Sequence, residues 1–424
     1  MTDSVTKPVW CWLPGAVEPT RCGTFTWREG LGEFVYDSDF MAQDGAGPLD
    51  PVNLPFSRSK RPHRETKQKG LFGVLRDASP EGYGLTLLET IEGRALDPIA
   101  RLEVALGDGV GAIEVCEDIQ RKLAFQPTSF SDFLVRLIDT PEGVAPSRVV
   151  RDLHGAVGTT LGGERPKMTV LHEGQLWIAK LQDRGDVPNS PLREFLAMRS
   201  ARACGVNSAD VEFRQAGLHQ VVAVRRFDRE VRDDFRTLRH GFASAHTMLR
   251  LDSTATRGDP QRSYPYLAFE LQRWCGAKSV DVLEMKRELW RRMAFNAICG
   301  NGDDHPRNHG VVCIGGRWAL SPAYDIAPYI SFGGALAMSI TREGHMQAAR
   351  WALLRDCETF GYSEEEAGRH LDLAVDAMKA AWESEREALG FAPGDAPTPQ
   401  PEKWLESAPP AGLTPKRRPR ARRP

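Results

Sequence analysis

The sequence predicts an α+β protein of two lobes, a strand-rich front half and a helix-rich back half that meet near residue 228. Three observations carry this. Residues 167–171 and 176–181 alternate or run apolar on either side of His172-Glu173-Gly174-Gln175, the pattern of a hairpin. Further strands are expected at 211–213 and 220–227, after which strand signals fade. Residues 280–298 then place Leu283, Leu289, Met293 and Ala297 on one helical stripe, and 364–389 reads as a second long helix.

The other elements fit around that frame. Short strands are expected at 23–27, 32–36 and 112–116, with an extended Pro-rich stretch at 49–55 and a helix within 70–93. A short helix at 129–137 precedes a loop at 144–163 rich in Gly, Thr and Arg. The hairpin leads into a helix capped by Asn189 or Ser190, with Pro191 at its first position and Gly205 just past its end. Pro and Gly dominate from Pro393 onward. The expected units are therefore an N-terminal subdomain at 1–125, a strand-rich lobe at 126–228, a helical lobe at 229–392 and a disordered, Pro-rich basic tail at 393–424.

Composition narrows the class. The chain has 424 residues, 41% hydrophobic and 26% charged, as in soluble proteins of two or three compact units. No window approaches the ~18 uncharged apolar residues of a membrane span. The opening MTDSVTKPVWCWLPG lacks a signal-peptide apolar run, and the eight cysteines form no C-x-x-C pair, so reduced thiols in a cytoplasmic protein without membrane contact are expected. Residues 414–424 hold six Lys or Arg and no acid, which leaves the body of the chain about eight charges negative. That balance argues against a body-wide phosphate-binding surface. The tail is either a solvated segment or an auxiliary contact to nucleic acid or an acidic partner.

The densest polar cluster is Asn301-Gly-Asp-Asp-His-Pro-Arg-Asn308, which follows an apolar helix end. An expected hairpin at 311–314 and 317–320 separates it from Ser321-Pro-Ala-Tyr-Asp325. Phosphoryl transfer to a hydroxyl needs a carboxylate to orient the attacking oxygen and oxygen ligands to hold Mg²⁺ on the phosphates. An Asp, an Asn five residues on and an Asp beyond a hairpin is the order in which protein kinases supply them. Asp303, Asn308 and Asp325 reproduce it. Two other readings compete: Asx turns after a helix, or a metallo-hydrolase site of Asp303, His305 and His309. Gly162-Gly163 precedes the first hairpin strand, and Lys180 ends the second; the first could approach phosphates closely, the second aim an ammonium at them. Glu194, on the following helix, is either the partner of Lys180 or a solvated first-turn acid. A Walker loop is excluded, since Glu164 stands where its Lys is required.

These residues resemble the HipA family. Asn301–Asn308 and Pro322-Ala-Tyr-Asp325 match its N-x-D-x-H-x-x-N and P-A-Y-D motifs, and Leu161-Gly-Gly-Glu-Arg-Pro-Lys167 is similar to its Gly-rich loop. Ala223-Val-Arg-Arg-Phe-Asp-Arg229 is similar to its (V/E)-R-F-D-R segment, and Leu54–Ser57 with Leu71–Gly84 to its N-terminal subdomain, so the resemblance spans roughly 50–390. It implies a bilobed protein-kinase-like fold with an added N-terminal subdomain and an all-helical C-terminal lobe. The implied activity is that of an ATP- and Mg-dependent serine/threonine kinase, a toxin paired with a helix-turn-helix antitoxin. Its implied substrate is a protein, such as an aminoacyl-tRNA synthetase. DNA would be met indirectly or through the basic tail.

Carried over by motif, Asp303 is the base and His305 a loop-ordering neighbour, Asn308 and Asp325 hold Mg²⁺, and Gly162, Gly163, Lys167 and Lys180 surround the phosphates. Arg225 and Phe227 meet adenine through main-chain groups, and Thr160 stands at an autophosphorylated Ser. Arg225 replaces a common Glu, Thr160 replaces Ser, and the basic tail lies outside the family pattern. A small-molecule phosphotransferase and a non-catalytic antitoxin- or DNA-binding module are the alternatives.

Overall fold

The structure, a computed structural model, describes residues 4–57, 61–141, 144–145, 148–150, 165–182, 185–234, 236–252, 255–276, 281–328, 332–411 and 413. Gly162, Gly163 and Thr160 lie outside these.

An antiparallel sheet opens the chain. It consists of β1 (Val5–Cys11), β2 (Thr20–Arg28), β3 (Leu31–Tyr36), β4 (His63–Glu65) and β5 (Ile113–Val115), in the order β4-β3-β2-β1-β5. β1 escapes sequence reading because Pro8 interrupts it. The sheet tolerates Pro8 because β5 pairs only with Val9–Cys11, so no ladder bond is lost on that side. The helix expected within 70–93 is two, α1 (Gly73–Asp77) and α2 (Gly82–Glu92). Pro80 breaks it: it has no N–H to donate and biases Ser79 away from helical angles.

The second sheet holds β6 (Thr128–Ser129), β7 (Lys167–His172), β8 (Gln175–Leu181), β9 (Val211–Ala216) and β10 (His219–Arg225), in the order β6-β7-β8-β10-β9. Its period of two sorts side chains between two cores. Met168, Val170, Trp177, Ala179, Val221 and Ala223 pack on Phe130, Phe133 and Leu137 of α3 (Phe130–Ile138). The alternate residues Val222 and Val224 face the other way, toward α4 (Ser190–Ala203). Lys180 pairs with Val222 and with Lys167, so both lysines fall on the α4 side.

The back half contains α5 (Tyr264–Cys275), α6 (Asp281–Cys299) and α7 (Glu364–Ala388). Its expected hairpin is β14 (Gly310–Ile314) with β15 (Arg317–Leu320). Three strands were not legible: β11 (Arg229–Val231) pairs with β12 (Thr237–Arg239), and β13 (Gly241–Ser244) joins β14. The lobe is thus helix-rich and not all helical. One core runs from Phe25, Phe34 and Phe72 in front through Leu192 and Leu196 to Trp290, Met293 and Trp382 behind.

Two features tie distant parts together. The 223–229 segment locks the front sheet to the lobes: Arg226 Nη1 donates to Asp108 O at 2.7 Å, Arg229 Nη1 to Gly111 O at 2.7 Å, and Gly111 N to Asp228 Oδ2 at 2.9 Å. The Pro-rich stretch expected to be disordered from 393 is instead ordered through 411. Its Ala396 is fully buried and accepts from Trp382 Nε1 at 3.0 Å, and Trp404 Nε1 donates to Ala297 O at 2.7 Å. Asn189 stands at the start of α4 without capping it; its Nδ2 donates to Asp395 O at 3.0 Å. Among the described residues no helix is long and apolar enough to cross a membrane.

Candidate active site

The polar groups of the site are set by where three backbones end. Lys180 lies near the end of β8, directly opposite Lys167 on β7. Two buried ammoniums side by side repel, so the arrangement requires acids. Glu194 from α4 meets Lys180 Nζ at 2.5 Å and Asp325 meets it at 2.7 Å. Glu194 is therefore a buried partner of Lys180 and not a solvated first-turn acid. Burial alone would depress the Lys180 ammonium, but Asp325 and Glu194 outweigh it and hold it well above its usual range. Burial also pushes Asp325 up, but Lys180 and then Lys167 reverse this and hold its carboxyl well below the usual carboxylate range. Lys167 meets no such close acid among the described residues; burial, then the charge of Lys180, bring it down to about 8.

Asp325 is aimed by the chain before it. Ala323 exchanges backbone hydrogen bonds with the loop after α4, N to Asn207 O at 2.8 Å and O from Ala209 N at 2.9 Å. Glu288 and Arg292, one turn apart on α6, brace both sides: Glu288 Oε1 accepts from Asn207 N at 2.9 Å, and Arg292 Nη2 donates to Ser321 O at 2.6 Å. Asp325 itself has φ +58°, in the left-handed region that few L-residues other than Asn and Asp occupy readily.

The 301–308 loop leaves α6 at Gly300 (φ +78°), where an added Cβ would press on the side chain of Phe332, 3.3 Å from its Cβ. Asn301 N returns to Asn296 O at 2.9 Å. Asp304, fully buried, anchors the loop by accepting from Tyr264 Oη at 2.6 Å and Ala337 N at 2.5 Å. Burial pushes its carboxyl up to about 6. His309, held neutral by burial and by Arg292, lies with Nε2 3.2 Å from the same Tyr264 hydroxyl. A 3₁₀ turn at Pro306–Asn308 follows, in which Asn308 Nδ2 donates to Asp303 O at 2.8 Å. That bond orients the amide and leaves the Asn308 carbonyl oxygen as an acceptor. Asn301, Asp304, Asn308 and Asp325 line one cleft.

The structure thus brings Lys167, Lys180, Glu194 and Asp325 together, with Asn308 across the cleft. His305 contributes main-chain bonds to the turn, N to Asp303 O and O from Asn308 N, both 2.8 Å. The metallo-hydrolase reading fails among the described residues: Asp303, His305 and His309 do not gather into a metal-sized group, and His309 is given over to Tyr264. Phe227 packs with Phe242 and Tyr324, at 6.0 and 5.5 Å between centroids. Arg225 pairs with Asp210 through its side chain at 3.3 Å and donates its N–H to Asp210 O at 2.8 Å. Sequence reasoning missed Asp304 and Tyr264. The only hint was an acid next to Asp303, and in a loop no periodicity says which of two adjacent acids turns inward.

A strand-held lysine paired to a helix glutamate, and an aspartate past a hairpin from a polar loop, define a kinase-like class. The comparisons carry this to the family. Residues 159–382 match the HipA-like C-terminal domain and residues 16–116 the HipA N-terminal domain. The chain belongs to the HipA-like kinase family. It is 25% identical to the proposed kinase Y4mE of Sinorhizobium fredii over 332 residues, 73% of this chain and 75% of that one. It is 26% identical to the serine/threonine-protein kinase toxin HipA of Shewanella oneidensis over 203 residues, 43% of this chain and 47% of that one. The solved complex of Shewanella oneidensis HipA with HipB and operator DNA shares the fold, with TM-score 0.66 at 18% identity over 89% of this chain and 90% of that one.

Proposed function

We propose that the chain is a Mg-ATP-dependent serine/threonine protein kinase of HipA type. The observation that carries the proposal is the Lys180–Glu194–Asp325 arrangement facing Asn308 across one cleft. The donor set suits the metal: the Asp325 carboxylate and the Asn308 amide oxygen are the hard ligands Mg²⁺ takes, and His309, which lines the same cleft, is engaged with Tyr264. Bound there, Mg²⁺ neutralises charge on the phosphoryl group being transferred. Lys180 lies between Asp325 and Glu194, so Glu194 would keep the ammonium aimed when Asp325 serves as a metal ligand. Lys167 and the 162–163 glycines approach the same phosphates. Asp303 would orient the acceptor hydroxyl and take its proton as the new P–O bond to the γ-phosphorus forms and the β–γ anhydride bond breaks, ADP leaving with the electron pair. The Arg225 carbonyl and Phe227 main chain meet adenine; the Arg225 amide is already engaged.

The relatives suggest the biology. One is named a kinase toxin and one solved relative is bound to HipB and operator DNA, so a toxin with an antitoxin partner is proposed, reaching DNA through that partner or through the basic tail. The proposed substrate is a protein of the translation machinery, such as an aminoacyl-tRNA synthetase, and Thr160 is the proposed self-modified residue. Incubating the full chain with γ-labelled ATP, Mg²⁺ and cell lysate tests this. Label on a protein as phosphoserine or phosphothreonine supports the reading. Label on a metabolite alone marks a small-molecule phosphotransferase, and no label marks a binding module. Mass spectrometry that finds phosphate on Thr160 in active protein and not in Asp303→Asn supports self-modification.

A further inference from the structure

We propose that Glu81 of the N-terminal subdomain and Arg307 of the 301–308 loop are a positioning pair, which makes the front subdomain part of the catalytic apparatus. The inference rests on the kinase reading. Glu81 stands immediately before α2, at the N-cap position that Ser, Thr, Asp or Asn ordinarily fills. Its side chain makes no cap bond. Its Oε2 instead meets Arg307 Nη1 at 2.6 Å, across the boundary between subdomain and lobe.

What lies beyond Arg307 gives the pair its reach. Its carbonyl accepts from Tyr324 Oη at 2.6 Å, and the next residue along from Tyr324 is Asp325. The next residue along from Arg307 is Asn308. A second grip comes from the same stretch of subdomain. Asp77 accepts from Ser244 N at 2.7 Å, Ser244 Oγ at 2.8 Å and Thr247 Oγ1 at 2.7 Å. Ala245 N then donates to His309 O at 2.7 Å. Residues 77–81 thus hold the turn around Asn308 from both flanks. An exposed ion pair of no consequence is the competing account, since such pairs contribute little to stability. It predicts no change in the loop.

Steady-state transfer from γ-labelled ATP, nucleotide affinity and hydrogen exchange of residues 301–309 decide between them in the full-length protein. In Glu81→Gln, kcat should fall roughly tenfold, the order expected when a reacting group is misplaced by a fraction of an ångström. ATP affinity should stay within twofold, and exchange across 301–309 should rise. The swap Glu81→Arg with Arg307→Glu should restore most of kcat and of the protection. Glu365→Gln, which breaks the exposed Glu365–Arg369 pair on α7, is the control and should change neither. A twofold or smaller loss with unchanged exchange overturns the proposal. So does a loss shared equally by nucleotide affinity and thermal stability, which is general damage to the fold. If the wild-type chain transfers no phosphate, the kinase reading fails, while the exchange difference still reports whether the pair orders the loop.

Discussion

Two polar networks meet at the 301–308 loop, and they are built on opposite terms. Above it, Lys180, Glu194 and Asp325 balance full charges at the edge of an open cleft, with 36% of the Asp325 side chain exposed. Below it, Tyr264, Asp304, His309 and Asn296 are wholly buried, and burial disfavours charge on Asp304 and His309 alike. The upper network has partners that a ligand can replace. The lower one centres on the Tyr264 hydroxyl, which Asp304, His309 and Asn296 share, and Asp304 ties that centre to the Ala337 backbone. Asp303 and Asp304 are neighbours and chemically identical, yet only Asp304 is buried in the lower network, while Asp303 stays half-buried. Chemistry should follow the first, and folding the second.

The largest expected effect separates those two acids. Asp303→Asn should lower phosphoryl transfer at least ~10²-fold, with nucleotide affinity within a few fold and thermal stability unchanged. Near-normal turnover would break the comparison at its centre.

Asp304 should be read in stability and in pH. Asp304→Ala strands the Tyr264 hydroxyl and the Ala337 amide and should cost about 2–3 kcal/mol in chemical unfolding. The pH dependence has a definite sign. The unfolded carboxyl ionises near 3.8 and the folded one at about 6, so its contribution is fully present below 3.8 and is lost as pH rises through 6. The loss should be on the order of 3 kcal/mol, measured by urea unfolding against Asp304→Asn. Asp325 runs the other way. Its folded carboxyl is depressed, so its contribution is present above about 3.8 and is lost on acidification. Parallel pH profiles for the two positions would collapse the distinction.

Smaller effects sharpen it. Asp325→Ala should raise the Mg²⁺ concentration needed for ATP binding at least about tenfold, read by titrating ATP affinity against Mg²⁺. An unchanged Mg²⁺ dependence would make Asp325 structural. Smallest is a backbone effect at the same position. Because Asp325 holds φ +58°, Asp325→Gly should be more stable than Asp325→Ala by about 1 kcal/mol in thermal unfolding, with both equally inactive.

Much of the upper network was legible in the sequence. Period-two alternation fixes the face on which Lys180 lies, and spacing alone sets Asp303, Asn308 and Asp325 in order. The lower network was not, for a physical reason. Asp304 and His309 carry the signature of surface or site residues, and only tertiary packing converts them to core. The same holds for Arg226, Asp228, Arg229 and Arg239, charged residues that composition assigns to solvent and that burial places between subdomain and lobe. Strands of three residues such as β11 and β12 are too short for any period to show. The stretch after 393 misled through composition: Pro-rich chain does not make its own ladder, but here its carbonyls find donors in Trp382 and Arg386.

That last stretch sets an order of events during synthesis. The ribosome delivers the 301–308 loop about a hundred residues before Trp404, whose indole supplies the donor for the Ala297 carbonyl at the end of α6 and whose ring packs on Phe332 at 5.0 Å. Phe332 in turn covers Gly300 and Gly302. A nascent chain therefore carries every residue of the cleft while the floor beneath the loop is still incomplete. The last turn of α6 gains its final partner only after translation has passed residue 404.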